Sequence, residues 1–377
     1  MILALMLGCP VPADPTETGT AVDDAPCEQV SGNICTWAGL DGLAALGQDD
    51  VAANESYLYL PQDVGFAPDG TGYLLDWNNH RIRKVGADGI VTTIAGSGLH
   101  GDGPEGDARL AMFNHPASLS FDNEGDMVVA AWHNSRVERI NLATNELSFV
   151  AGDGTRSFGG DEAEAVVAKL DLPSSAVVDS EGTIYISDTA NQRIRTVTTD
   201  GMIHTYAGTG TAGFAGDGDD VLLAQFNNAK GQQAAPSGRL AMGPGQMLYV
   251  ADTLNQRIRV IDLATDVIAT LAGNGTAGFS GDGGDALSAT LFSPSDIAVG
   301  ADGEVYIADT ENSCVRVVSA EGVISTFAGI CTEPDYTGDG GPATQARLQK
   351  PFGVAVDPSG NVYVADTYNN VIRVIWY

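Results

Sequence analysis

The chain holds 377 residues, with 18 Lys plus Arg against 49 Asp plus Glu, a formal net charge of −31 at pH 7. Such a field repels phosphate backbones and anionic headgroups, which excludes nucleic-acid binding and adsorption to an acidic membrane surface. With 44% apolar and 18% charged residues the chain can bury a large core, and its 47 glycines indicate a turn-dense β protein.

At the N-terminal end, residues 1–9 (MILALMLGC) form a short apolar run that closes on Gly8 and Cys9. The run resembles the lipobox of bacterial lipoproteins. That resemblance implies a signal peptide cut before Cys9 and lipid on Cys9, so that the protein meets a membrane only through acyl chains. Residues 10–32 read as a disordered tether, short of apolar side chains and holding four prolines up to Pro26. Beyond Cys9 the remaining cysteines are Cys27, Cys35, Cys314 and Cys331, an even number that fits an oxidising compartment.

From Tyr73 onward one pattern recurs. YLLDWNNHRIRKV (73–85) returns as VVAAWHNSRVERI, YISDTANQRIRTV, YVADTLNQRIRVI, YIADTENSCVRVV and YVADTYNNVIRVI. Its Asp position falls at 76, 131 (where it is Ala), 188, 252, 309 and 366, so six copies exist. Each copy divides into four short strands. The first follows a proline, as at Pro351, and a Gly-bearing turn joins it to the second in a hairpin. A tight turn carrying Asn (79, 134, 191, 255, 312, 369) leads to the third, and the fourth ends in Ala-Gly. Asn suits such a turn because it tolerates left-handed backbone.

Ala-Gly occurs at 95–96, 151–152, 207–208, 272–273 and 328–329, which completes only five copies. The sixth lies at 38–39, ahead of the first copy, while the last copy stops after its third strand at Tyr377. The N-terminal strand is therefore expected to complete the last blade and close the ring, leaving no unpaired seam. Residues 33–377 read as an all-β, six-bladed β-propeller with four-stranded blades.

Pro-x-Gly-Val-Ala-Val-Asp, Gly-Asn-Val-Tyr-Val-Ala-Asp-Thr and Asn-x-x-Ile-Arg-Val, as they stand in the last copy, resemble the signature of the NHL-repeat family. The resemblance implies a propeller that serves in binding, in scaffolding or occasionally as an enzyme, and the fold does not choose among these. In the amidating lyase relatives a metal-binding His directly follows the blade-opening Pro. Here those positions hold Gln62, Ala117, Ser174, Ser237, Ser295 and Phe352, so that lyase chemistry is not expected.

Ten arginines (81, 83, 136, 139, 193, 195, 257, 259, 316 and 373) sit in third strands and are expected to pair with the repeated Asp and brace its turn. Gly-Asp-Gly recurs at 101–103, 216–218, 281–283 and 338–340 on the connections between blades. Asp in a Gly-flanked turn reads as a turn former, with calcium as the second reading because hard cations want clustered carboxylates. No tightly held metal or other cofactor is expected.

Departures from the repeat point to a site. Blade 2 replaces Asp with Ala131 and follows it with Trp132 and His133, and His115 precedes its opening Pro116. Blade 4 carries about seven extra residues between Asn228 and Pro236. Strand alternation puts these on one face, where Trp77, His80, His115, Trp132, His133, Lys230, Gln232 and Gln233 are candidates for a binding rim. On the same geometry Cys314 and Cys331 share a rim of blade 5 and are expected to form a disulfide, leaving Cys27 with Cys35. The reading is an extracytoplasmic, lipid-anchored, monomeric binding module for a protein or carbohydrate. The alternative is a metal-dependent hydrolase or lyase with its site in the central channel.

Overall fold

The computed structural model describes residues 27–377 except 41, 232 and 234; the leader and Cys9 lie outside the described residues. Side chains that alternate with a period of two make each repeat an antiparallel meander. In the last repeat Gly353–Val356, Val362–Asp366 and Val371–Ile375 pair in succession, and Ile34–Ala38 from the other end of the chain then pairs with Val371–Ile375. The register is Ile34 to Ile375, Cys35 to Val374, Thr36 to Arg373 and Ala38 to Ile372, with a bulge at Trp37. The same irregularity interrupts the third-to-fourth pairing of other blades, between Ile82 and Arg83 and between Ile258 and Arg259. The N-terminal strand thus takes the full geometry of a fourth strand, and the ring closes with six blades.

Four of the six sheets carry one strand more than expected, the two-residue pieces Val51–Ala52, Gly106–Asp107, Ala163–Glu164 and Gly284–Asp285. They arise because each connection runs along the outer edge of the blade it enters. Residues 27–32, read as the end of the tether, are held against the ring. Gly32 N–H donates to Trp376 O at 2.8 Å and Gly32 O accepts from Ala343 N–H at 2.9 Å. Cys27 is joined to Cys35 and Cys314 to Cys331, with Cα separations of 5.9 and 5.0 Å. Between neighbouring blades the apolar faces interleave, as Leu75, Ile82, Phe113, Val129 and Ile140 do.

The Ala-Gly repeat has a steric cause. Gly96 adopts φ +89, and a Cβ there would lie 2.2 Å from His80 O; at Gly39, φ +102, it would lie 2.7 Å from Asn370 O. Only glycine lets the end of the fourth strand pass this close to the neighbouring turn.

In five blades the repeated Asp is a buried hub. Asp309 accepts Phe292 N–H at 2.7 Å and Asn312 Nδ2 at 2.8 Å, and lies 3.5 Å from Arg316 Nη1. Arg316 also reaches Asp282 of the Gly-Asp-Gly segment at 2.5 Å. Arg259 repeats this with Asp252 and Asp217, and Arg373 with Asp366 and Asp339. Burial pushes Asp309 up to about 6, so it stays charged at neutral pH and the ion pair persists.

Three expectations are corrected here. Only the second arginine of the pairs in blades 1, 3 and 4 braces the hub; Arg193 and Arg257 instead donate to loop carbonyls, Thr209 O and Asn274 O, at 2.9 Å, and in blade 2, which has no hub Asp, Arg139 pairs with Asp122 at 3.1 Å. The Gly-Asp-Gly aspartates Asp217, Asp282 and Asp339 act as ion-pair partners, their charge met by a guanidinium. The Asn of the tight turn is also not its left-handed residue: that is the next one, Ser313 at φ 55 or Gln256 at φ 55. Asn serves instead as a bridge, Asn312 Nδ2 donating to both Asp309 and Gly278 O.

Candidate functional site: an indole and imidazole cluster and a closed channel

After the hub Asp, blades 3 to 6 place a buried Thr whose hydroxyl is satisfied close to the axis. Thr310 Oγ1 donates to Pro351 O at 2.8 Å and Thr367 Oγ1 to Pro61 O at 2.7 Å. Blades 1 and 2 place Trp77 and Trp132 at this position. The indoles overfill a slot sized for Thr and pack on each other at 6.4 Å between ring centroids, over Ala117 and Leu172.

Four of the five histidines gather around them. His115 lies 4.4 Å from Trp77, and His133 stacks 4.8 Å from Trp132. His80 is 4.7 Å from His115, and His100 is 5.7 Å from His80. His115 Nδ1 lies 3.1 Å from His133 Nδ1 and 3.0 Å from Asn114 Oδ1. Backbone conformation sets the placement: His80 is the left-handed residue of its turn at φ 53, and His115 precedes Pro116 at φ 59. Burial, reinforced by neighbouring imidazoles, lowers His80 to about 4 and His115 to about 3, so both are neutral at pH 7. Among the described residues, the buried Trp77 Nε1 and His80 Nδ1 find no hydrogen-bond partner.

The structure thus unites Trp77, His80, His115, Trp132 and His133. His100, an exposed residue that sequence reasoning passed over, joins them. Trp132, only 1% exposed, forms the floor of the cluster. Lys230 and Gln233 are exposed on the blade 4 insertion and make no hydrogen bond to the cluster, and Gln232 lies outside the described residues. The insertion is anchored by Gln192, whose amide exchanges bonds of 2.8 and 3.0 Å with the Asn228 backbone. Among the described residues, no group of three or more His, Cys, Asp or Glu converges as a metal site would.

Blade 2 also rewires its hub. Ala131 replaces the Asp, and Glu138 stands where Arg83 stands in blade 1. Asn134 keeps the donation to a loop carbonyl that its counterparts make, to Gly101 O at 2.5 Å, and reaches Asp102 at 3.3 Å and Met112 O at 3.4 Å, the kind of contacts that arginine makes elsewhere, while Arg136 pairs with Asp102 at 3.2 Å. Glu138 is left only 4% exposed, and burial pushes it up to about 8.

The central channel is closed by a residue that sequence reasoning missed. Arg239, 1% exposed, lies between Asp63 of blade 1 and Asp296 of blade 5 at 3.4 and 3.2 Å. It also donates to Gln62 O, to Ala117 O and to Phe352 O, so one side chain ties blade 4 to blades 1, 2, 5 and 6. Asp63 pairs with Leu75 and Asp296 with Ala308, and Ala251 N–H donates to Arg239 O at 2.9 Å, so the three residues hold one equivalent position in their blades. The signal was the second residue after each blade-opening Pro; in blade 4 an extra Gly238 displaces Arg239 by one.

The family model for the teneurin NHL domain matches residues 44–262 and 274–333, and the NHL-repeat model matches 348–375. The chain is 28% identical over 306 residues to NHL repeat-containing protein 2 of Bos taurus, covering 73% of this chain and 41% of that protein. It is 27% identical over 385 residues to Teneurin-1 of Caenorhabditis elegans, covering 90% of this chain and 13% of that protein. The chain therefore spans less than half the length of these relatives. Among solved structures, an auxiliary nutrient binding protein from Bacteroides thetaiotaomicron superposes with a TM-score of 0.66 at 15% identity, covering 90% of this chain and 75% of that one, which shows the shared fold. By its repeats, its ring closure and this match over most of its length, the chain belongs to the NHL-repeat family.

Proposed function

We propose that this propeller is a non-catalytic binding module working outside the cytoplasm, holding a protein or carbohydrate ligand on the face that carries Trp77 and the clustered histidines. The observation behind this is the replacement of a small buried Thr by Trp77 and Trp132, with the imidazoles of His115 and His133 packed on them. An indole and neutral ring nitrogens suit stacking on a sugar face or an aromatic side chain. The nutrient-binding neighbour shares the fold and agrees with a binding role. Work in an oxidising compartment is supported by the two disulfides, and anchoring through lipid on Cys9 belongs to the same proposal. The competing channel hydrolase or lyase has less support, because Asp63 and Asp296 are already engaged by the Arg239 guanidinium and by backbone N–H groups, which leaves too few oxygens for a hard divalent ion.

The test is capture from a glycan array and from a surface-protein extract by wild type, by a Trp77→Ala, His115→Ala double variant and by a deletion of residues 229–235. The expected result is at least a tenfold loss in the double variant. Undiminished capture by it would overturn the site; undiminished capture by the deletion would remove Lys230 and Gln233 from it.

A further inference from the structure

Beyond Arg239 the channel opens again. A cavity of about 320 Å³ runs from Asp63 to Phe66 and from Asp296 to Val299, toward the turns that join first to second strands, away from the indole cluster. Its floor is the ring position that presents Asp63, Ser118, Ser175 and Asp296, each no more than 5% exposed. The next ring position along the strands is small or apolar, Gly65, Val177, Ala241, Ala298 and Ala355, with one hydroxyl, Ser120, turned to Ala176 O at 2.7 Å. The result is a dead-end well with apolar walls and a polar floor, the form of a small-molecule site.

The floor is short of one positive charge. Two buried carboxylates face a single guanidinium, and Arg239 approaches them from behind the floor, where it also reaches the carbonyls of Gln62 and Phe352. Asp63 already accepts Val64 N–H and Leu119 N–H at 2.9 Å, and Asp296 accepts Val354 N–H at 2.9 Å. Each carboxylate, with about four acceptor positions, keeps room for about one more donor. Beside them the buried Ser118 Oγ has no hydrogen-bond partner among the described residues. A hard divalent cation wants six or more oxygens and is poorly served here. An ammonium group needs about three acceptors, which Asp63, Asp296 and Ser118 supply, and it brings the missing charge.

We infer that the well binds a small primary amine, its ammonium on the Asp63, Asp296 and Ser118 floor and its apolar body between the Gly65, Ala241, Ala298 and Ala355 walls. A protein of net charge −31 also concentrates such cations at its surface. Burial pushes Asp63 up to about 7, and Arg239 and Asp296 are the charged groups that face it. With the well empty a proton on Asp63 restores the balance; with an amine bound the ammonium does so, and the proton leaves.

The test is calorimetric titration of the full chain with benzylamine, with benzyl alcohol as the uncharged match and with calcium and potassium chlorides as inorganic cations. Benzylamine is expected to bind at least tenfold more tightly than benzyl alcohol, to weaken as the pH falls from 8 to 6, and to release a proton on binding near pH 7. Asp296→Asn is expected to cost at least tenfold. Ala241→Leu, which narrows the well without touching the floor, is expected to do the same and stands in if the first variant does not fold. Equal binding of the alcohol, displacement of the amine by calcium or potassium, or undiminished binding in Ala241→Leu would overturn the assignment.

Discussion

His115 Nδ1 lies 3.1 Å from His133 Nδ1 and 3.0 Å from the Asn114 side-chain oxygen. Two ring nitrogens at hydrogen-bond distance cannot both carry a proton, so the arrangement assigns the hydrogen to His115, which donates to both neighbours, and leaves His133 Nδ1 as acceptor. Burial, reinforced by the neighbouring imidazoles, lowers His115 to about 3 and keeps it neutral at pH 7.

That neutrality predicts acid lability. His80 and His115 titrate at about 4 and 3 in the folded protein against 6.5 when unfolded. The unfolded chain binds more protons in this interval, so the stability these residues contribute is complete above pH 6.5 and is lost as the pH falls toward 4. Urea midpoints of wild type and His115→Gln at pH 7.5 and 4.5 check this: the variant is expected to lose less stability between the two. Equal losses would contradict it.

Glu138 predicts the opposite slope. Its carboxyl titrates at 4.5 unfolded and about 8 folded, so the folded state holds the proton more tightly and stability declines as the pH rises through this window. Glu138→Gln, which keeps the shape and removes the charge, is expected to match wild type near pH 5 and to melt several degrees higher at pH 9. Thermal unfolding at the two pH values reads this directly.

The hub ion pairs predict a large, asymmetric cost. Arg316 and Asp309 are both fully buried, and removal of the guanidinium strands a carboxylate that also depends on Asn312. Arg316→Met is expected to destabilise by about 3–5 kcal/mol, and adding Asp309→Asn to recover part of it, because a buried unpaired charge costs more than the pair contributes. Guanidinium denaturation of both variants provides the comparison.

The two disulfides predict a graded loss. Replacing Cys314 and Cys331 by Ser opens a loop with a sequence separation of 17 and is expected to cost about 3 kcal/mol on chain entropy. The Cys27–Cys35 pair, with a separation of 8, is expected to cost about 2.5 kcal/mol on the same footing. It also fixes the strand that closes the ring, so hydrogen exchange at Ile34 and Thr36 is expected to rise in its absence while Val250 and Ile307 stay protected.

The ring, its six blades, the closing strand around Trp37 and the disulfides were legible in the amino-acid order. A β-meander declares itself by alternation and turn residues, and a repeat in fixed phase multiplies that signal sixfold. The histidine cluster was half legible, because its members stand where the repeat is broken. Tertiary structure alone decided how those breaks meet: that Trp132 is a floor, that His100 reaches His80, and that Asn134 turns to Asp102, a carboxylate of the kind that arginine reaches in other blades. Arg239 shows why. Its partners Asp63 and Asp296 lie 176 positions before and 57 after it along the chain, and no spacing or periodicity registers a contact across the axis, which exists only once the ring has closed.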